Sequence, residues 1–442
     1  MRTFRTVLTG CLASAAAFAA TPTFNRDVLP ILEQNCQQCH RAGEIAPMSL
    51  LTYTDARPWA KAIKAAVISQ KMPPWFADPA VGHFANDRRL SEAQIQTLVV
   101  WVDNGAPEGD AKDKPVPRKF QEGWNIKPDV VIEMPNAFQL PAAGTIDYQY
   151  ILVKGNITED LWVREAEMRP SNNAVLHHGK VWVRPPGSHW MENATPGVPY
   201  SRGMGRNMVD EGNDIIGKYN PGLGAQTFDL DGSAKLIPKG SDFVFELHYT
   251  AIGKPATDVS RVGLVLAKHA PEMRYYTSPG TPAATNLVIP ANESNVEVAS
   301  ESTVGADGVK LVYIQPHAHL RGKDFEITLV YPTGEKETVF RGKFDFNWQL
   351  GYDLAKPIVL PKGTRIVSVA HYDNSANNPF NPDPSKTVVW GPQNWDEMQS
   401  VFLGFVMPVS TDVANVLHAS GPSLLPRPRV GGGPTLSYLA GR

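Results

Sequence analysis

Cysteine is the scarcest chemistry-bearing residue of this chain, with three in 442 residues. A disulfide-stapled scaffold is therefore excluded. Charge of one sign is missing as well: 44 acidic residues face 42 basic ones, so no basic excess points to nucleic acid and no strong field to a membrane surface. Small-molecule or protein partners fit this balance better. A long apolar run is also lacking. The Ala-rich stretch from Val7 to Ala20 is too short to span a bilayer as a helix, and no later segment reads as transmembrane.

That first stretch follows a positively charged start, Met1 to Thr6, and ends near Ala17-Phe18-Ala19, a small-residue cleavage pattern. Residues 1–20 read as a bacterial signal peptide, which places the mature chain in the periplasm or outside the cell. Leu8-Thr9-Gly10-Cys11 resembles a lipoprotein box, although the apolar stretch before it is very short. Once the signal is removed, only Cys36 and Cys39 remain.

From Phe24 to about Asp110 the pattern is helical. Asp27 to Leu32 leads into the cysteines, Arg57 to Gln70 is rich in Ala, Lys and Ile, and Ser91 with Gln94 forms a capping box ahead of Ile95, Leu98, Val99 and Val102. The cysteines stand in Cys36-Gln37-Gln38-Cys39-His40. Two thiols at this spacing can each add to a vinyl group of haem, and the following histidine is placed to ligate the iron. Zinc is the chemical rival, but no second cysteine pair completes a tetrahedral set. The segment 21–110 resembles a class I-like c-type cytochrome domain, with one covalent haem c on Cys36 and Cys39 and His40 as axial ligand. Met72, followed by Pro73-Pro74, is the better candidate for the opposite axial position; Met48 and His83 are the alternatives.

Residues 111–122 turn polar and Pro-containing, as an exposed linker would. Beyond them short β-rich runs alternate with Gly, Pro and Asn, which favours antiparallel sandwiches over βαβ units. A Pro/Ala/Asn-rich passage from Ser278 to Glu293 divides this region into 123–277 and 278–420, and 421–442 is a Pro/Gly-rich tail. The expected architecture is multidomain: a small all-α cytochrome c domain followed by two all-β antiparallel sandwich (jelly-roll-like) domains.

Histidines mark three places in the β region. His317 and His319 are two apart near a strand end, which puts both imidazoles on one face and suits a shared metal. His177 and His178 are adjacent, and on a regular strand they would point to opposite faces. His248, in Leu247-His248-Tyr249, ends another alternating run, where a lone histidine is more often structural.

Taken in order, His177-His178, Leu247-His248-Tyr249, His317-Ala318-His319-Leu320-Arg321-Gly322 and Asp396-Glu397-Met398 resemble the type II, ascorbate-dependent copper monooxygenases, the family of peptidylglycine α-hydroxylating and dopamine β-monooxygenases. The resemblance runs from about Gly123 to Val409. It implies two copper ions, an electron-transfer copper on His177, His178 and His248 and an oxygen-activating copper on His317, His319 and Met398. It also implies O2, a small-molecule substrate hydroxylated at a C–H bond, and an electron donor that is a small reductant or redox protein. Asp396, Glu397 and Gln315 are candidates to support the ligands from behind. The chain departs from the family in lacking disulfides. It also has Gln315, Ser400 and Phe402 where peptidylglycine enzymes hold the substrate with Arg, Asn and Tyr, so a peptidylglycine substrate is doubtful. The competing reading is a periplasmic c-type cytochrome electron carrier whose β region docks a partner or binds copper without turnover.

Overall fold

The computed structural model describes residues 21–44, 46–120, 123–201, 214–220 and 222–419. The expected signal peptide with Cys11, and the tail 421–442, lie outside the described residues. The chain forms two compact units.

Of the described residues, the first unit comprises 21–42, 46–73 and 90–118. Its helices are short: Leu29–Asn35, Tyr53–Ala56, Ala60–Ile68 and Glu92–Asp103, with a π-helical turn at Phe24–Val28. Ser91 and Gln94 cap the longest helix reciprocally, and Asn104 closes it before Gly105 at φ +84°. The buried side chains of Phe24, Leu32, Leu98 and Trp101 form the centre of its core, with the Phe24 ring 5.5 Å from Tyr53 and 6.0 Å from Trp101.

The second unit comprises 43–44, 74–89 and the described residues from Lys119 to Ala419. Its N-terminal half holds two five-stranded antiparallel sheets. One contains Val130–Glu133, Arg261–Leu266 and Leu161–Arg169, and the other contains Gln149–Val153, Asp242–Tyr249, Leu176–Arg184 and Asp214–Tyr219. Val163, Met168 and Val262 of the first meet Val181, Phe243 and Phe245 of the second in a common core. The C-terminal half repeats the device with Met273–Thr277, Ser400–Pro408, Val309–His317 and Tyr352–Leu360 in one sheet. The other contains Lys336–Lys343, Gly322–Val330, Arg365–Tyr372 and Val296–Val304. Tyr275, Val312, Tyr313 and Val406 of the C-terminal half are buried in the core of the N-terminal half, so the two halves share apolar interior.

These observations correct the expected sequence of a small all-α cytochrome c domain and two separate jelly-roll-like sandwiches. The chain is mostly β with a few short helices, and 21–110 is not a self-contained helical block. Residues 74–89 leave the helical unit and join the β unit. There Ala77 and Phe84 make antiparallel bridges to Gly342 and Leu354, and the Trp75 ring lies 4.9 Å from Tyr352. The physical reason is burial: Trp75, Ala77 and Phe84 find their apolar partners on a sheet about 265 positions later in the chain, where Asn86 and Gly351 also hydrogen-bond. Helical periodicity and loop composition carry no signal for such a strap.

Among the described residues no helix is long and apolar enough to cross a membrane.

Candidate metal centres

Cys36 caps the helix Leu29–Asn35, and its carbonyl accepts hydrogen bonds from the backbone N–H groups of Cys39 and His40 at 3.1 and 3.0 Å. Both sulfurs and the imidazole therefore arise from one continuous turn. The Nδ1 of His40 lies 3.3 Å from the Met48 carbonyl, which would occupy that nitrogen's proton and leave Nε2 for a metal. Burial lowers the His40 pKa, which favours the neutral, ligating form. Burial, reinforced by Cys39, pushes the Cys36 thiol up to about 12, the opposite of an activated thiolate. Two thiols and an imidazole presented by one turn are a donor set that covalent haem would use. Met72 is half-buried in the same unit, just after Ala60–Ile68, with its N–H on the Ala66 carbonyl. His83 belongs to the β unit.

Adjacent histidines share a site because the strand that carries them is irregular. His248 pairs with His178, but Tyr249 pairs with Leu176, so a β-bulge makes His177 the extra residue. A bulge turns the side chain of the inserted residue out of the strict alternation. As a result the ligand atoms of His177, His178 and His248 lie within 4.8 Å of one another, the one group of three or more His, Cys, Asp or Glu of this kind among the described residues.

The hydrogen bonds say which nitrogens are left for a metal. The Nδ1 atoms of His177 and His178 stand 3.1 Å apart, so at most one proton lies between them. The Nε2 of His178 is taken by the Tyr148 hydroxyl at 2.8 Å. The Nε2 of His248 is 2.8 Å from the Asn394 amide, while its Nδ1 is buried with no partner. Asn394 Oδ1 is unpartnered too, so a rotated amide would accept from Nε2–H once Nδ1 is ligated. One nitrogen from each of the three imidazoles converges, a donor set suited to copper or zinc. Burial keeps the rings neutral: it lowers the His177 pKa, lowers His178 well below its ordinary value, and brings His248 to about 3.

His317 ends the strand Val309–His317 and His319 follows in the turn, with their rings 5.3 Å apart and nearly perpendicular at 86°. Gln349 Oε1 accepts from His317 Nδ1 at 2.8 Å, leaving Nε2 open. The buried Nδ1 of His319 has no partner. Burial drives the His317 pKa well below its ordinary value and that of His319 to about 4. Glu397 ties the candidate thioether to this pair. Its carboxylate accepts from the backbone N–H of His319, from Arg321 at 3.0 Å and from Met398 at 3.0 Å. Met398 is also held by the Tyr372 hydroxyl, which donates to its carbonyl at 2.7 Å.

The three candidate supporting residues act mainly through backbone and loops. Glu397 holds backbone instead of an imidazole, and burial raises its pKa to about 7. Asp396 closes its own loop by accepting from Gln393 N–H at 3.2 Å. Gln315 donates to the Gln349 carbonyl at 2.9 Å and accepts from Lys218 and Tyr313, so it props the loop that holds His317. The side chains that hydrogen-bond the rings are Tyr148, Gln349 and Asn394, and the backbone of Asp396 and Gln393 faces His319. Gln349 and Phe346 belong to the stretch 345–350, which the family resemblance alone suggested as a loop near the cleft. The Phe346 ring stacks 5.3 Å from His177 and stands 6.4 Å from both His248 and His319, which makes it common to the two sets.

No protein-family model matches the sequence, and no curated protein matches it. Among solved structures, the chain is similar to the major capsid protein P2 of bacteriophage PM2, with 9% identity, 64% of this chain and 98% of that chain covered, and a TM-score of 0.30. A structure of infectious bursal disease virus, Gx strain, gives 12% identity over 68% of this chain and 77% of that one, with a TM-score of 0.19. Sulfolobus turreted icosahedral virus gives 10% over 62% and 61%, with a TM-score of 0.15. All three are viral proteins, with no cytochrome or copper oxygenase among them. Overlaps this weak assign neither a family nor an activity.

Proposed function

We propose that this chain is an exported copper monooxygenase that hydroxylates a C–H bond of a small substrate with O2 and carries its own haem electron donor. The observation that supports the reading is the bulge-built convergence of His177, His178 and His248, together with the pair His317 and His319, which Gln349 and Glu397 hold, Glu397 also accepting from the backbone N–H of Met398. Copper at the two sets would supply one-electron redox chemistry and an open position for O2, and haem on Cys36 and Cys39 would supply an electron.

The residues contribute preorganisation. Tyr148, Asn394 and Gln349 engage the outer nitrogens of His178, His248 and His317, and so fix ring rotation and tautomer before any ion arrives. Depressed imidazole pKa values remove proton competition for the ligand nitrogens near neutral pH. Phe346 and Phe402 present apolar surface at the two sets, which limits water where an oxidant would form. The reaction balances when one oxygen atom enters the C–H bond and the other leaves as water, with two electrons from the donor and two protons from solvent.

The test uses the full chain matured with haem and loaded with copper. Elemental analysis is expected to give one iron and two coppers per chain, and mixing the reduced protein with O2 and candidate substrates is expected to oxidise the haem and consume O2. Iron without copper would identify an electron carrier with a docking β region. Copper without O2 uptake would identify a binding module.

A further inference from the structure

The sheet face that carries His178 and His248 also carries a charged pair, Lys180 and Glu246. Alternation puts Lys180 on the face of His178 and Trp182, and the register sets it beside Glu246. Its ammonium donates to Glu246 Oε1 at 2.9 Å, and the other carboxylate oxygen accepts from Trp182 Nε1 at 2.8 Å. The surroundings are aromatic. Tyr150 is in register with Glu246 on the next strand, and the ammonium lies 4.8 Å from the centre of the Phe402 ring. Phe402 is in turn 5.9 Å from the His317 ring.

An ion pair among aromatic rings gains little over an apolar pair of the same size, so sheet stability alone is a weak reason for this one. The two partners are also unequal. Glu246 is spent, with both oxygens bonded and its side chain 7% exposed. Lys180 is 15% exposed, and of its three N–H donors one bonds Glu246. Its charge also depresses the pKa of His178, His317 and His319, as expected of a cation near both histidine sets. A cation with donors beyond its bond to Glu246, beside a buried Phe402 ring that in turn neighbours His317, is suited to hold an anion.

We propose that Lys180 anchors the carboxylate of a small substrate whose aromatic or aliphatic body lies on Phe402 and brings its reacting C–H to the His317, His319 and Met398 set. This assignment of substrate class rests on the monooxygenase reading. Since a single ring, Phe402, separates the ammonium from His317, the substrate is short: about one ring and a brief side chain.

The experiment is calorimetric binding of phenylacetate, phenylacetamide and 2-phenylethylamine to the full haem- and copper-loaded chain under argon, so that no turnover intervenes. Phenylacetate is expected to bind at least tenfold tighter than the other two. Lys180→Gln is expected to weaken phenylacetate by about tenfold to a hundredfold, the worth of a charge-assisted hydrogen bond, and to leave phenylacetamide unchanged. Lys180→Arg should restore most of the loss. Glu246→Gln, which releases the ammonium from its carboxylate, should tighten phenylacetate and gives a readout should Lys180→Gln fail to fold. Equal binding of phenylacetate to wild type and Lys180→Gln, or preference for the amine or amide, overturns the anchor. Oxygen uptake separates the two readings. Carboxylate binding through Lys180 without uptake removes the monooxygenase and keeps the anchor; uptake with a neutral substrate, unaffected by Lys180→Gln, does the reverse.

Discussion

His248 stands opposite His178 across two antiparallel strands, and the next residue, Tyr249, stands opposite Leu176, so His177 is the residue that the ladder skips. That skipped residue is what brings two neighbours in sequence to one cluster. Replacing His177, His178 or His248 by Ala is expected to lower copper from two to one per chain, with the ion at the second set retained. Loss of both ions from any one variant would mean that the sets do not bind independently.

Gln349 touches His317 through one hydrogen bond of 2.8 Å. Outer partners of this kind are typically worth tenfold to a hundredfold in metal affinity. Gln349→Ala is expected to weaken copper at the His317 set by about that factor, while Gln349→Glu, which keeps an acceptor, stays near wild type. Competition with a chelator of known affinity measures both.

Glu397 is buried, and both its oxygens face backbone N–H groups. Glu397→Gln turns an NH2 toward those donors and leaves at least one buried N–H without an acceptor, at a cost of about 1–3 kcal/mol. Chemical denaturation should show that loss, and copper at the Met398 set should fall with it.

Acid should unfold the copper-free chain through its neutral histidines. An imidazole with a lowered pKa binds fewer protons folded than unfolded, so its stabilisation is present above about pH 6.5 and is lost as pH falls toward the folded value. His177, His178, His248, His317 and His319 all shift this way, His319 to about 4 and His248 to about 3. Glu397, raised to about 7, opposes them, because it binds its proton more readily folded than unfolded. Thermal melting is therefore expected to drop from about pH 6.5 to 4, and more steeply in Glu397→Gln.

The haem assignment has its own check. Cys36→Ser with Cys39→Ser should abolish the mass increment of covalent haem after export through a haem-attachment pathway. Met72→His should keep the haem and lower its reduction potential, since imidazole in place of thioether favours the oxidised iron. An unchanged potential would move the sixth ligand elsewhere.

The local chemistry was legible in the chain itself. The spacing of Cys36, Cys39 and His40 sets one turn of backbone, Ser91 and Gln94 announce a helix start, and two-residue spacing puts His317 and His319 on a common side, because each of these is decided within a few bonds. What lies across the fold was not legible. The bulge at His177 depends on how a strand some 70 residues later is registered, and Tyr148 and Asn394 meet the imidazoles from separate strands and loops, as do Gln349 and Phe346, whose stretch only the family resemblance suggested as lying near the cleft. The strap 74–89 reads as part of a helical region, yet it follows the burial of Trp75 and Phe84 into the β unit. Sequence thus determined which candidate ligands exist and which turns present some of them. Tertiary structure decided which imidazoles come together, which side chains hold them there, and how the chain divides into units, because those choices are made by contacts between residues far apart in the chain.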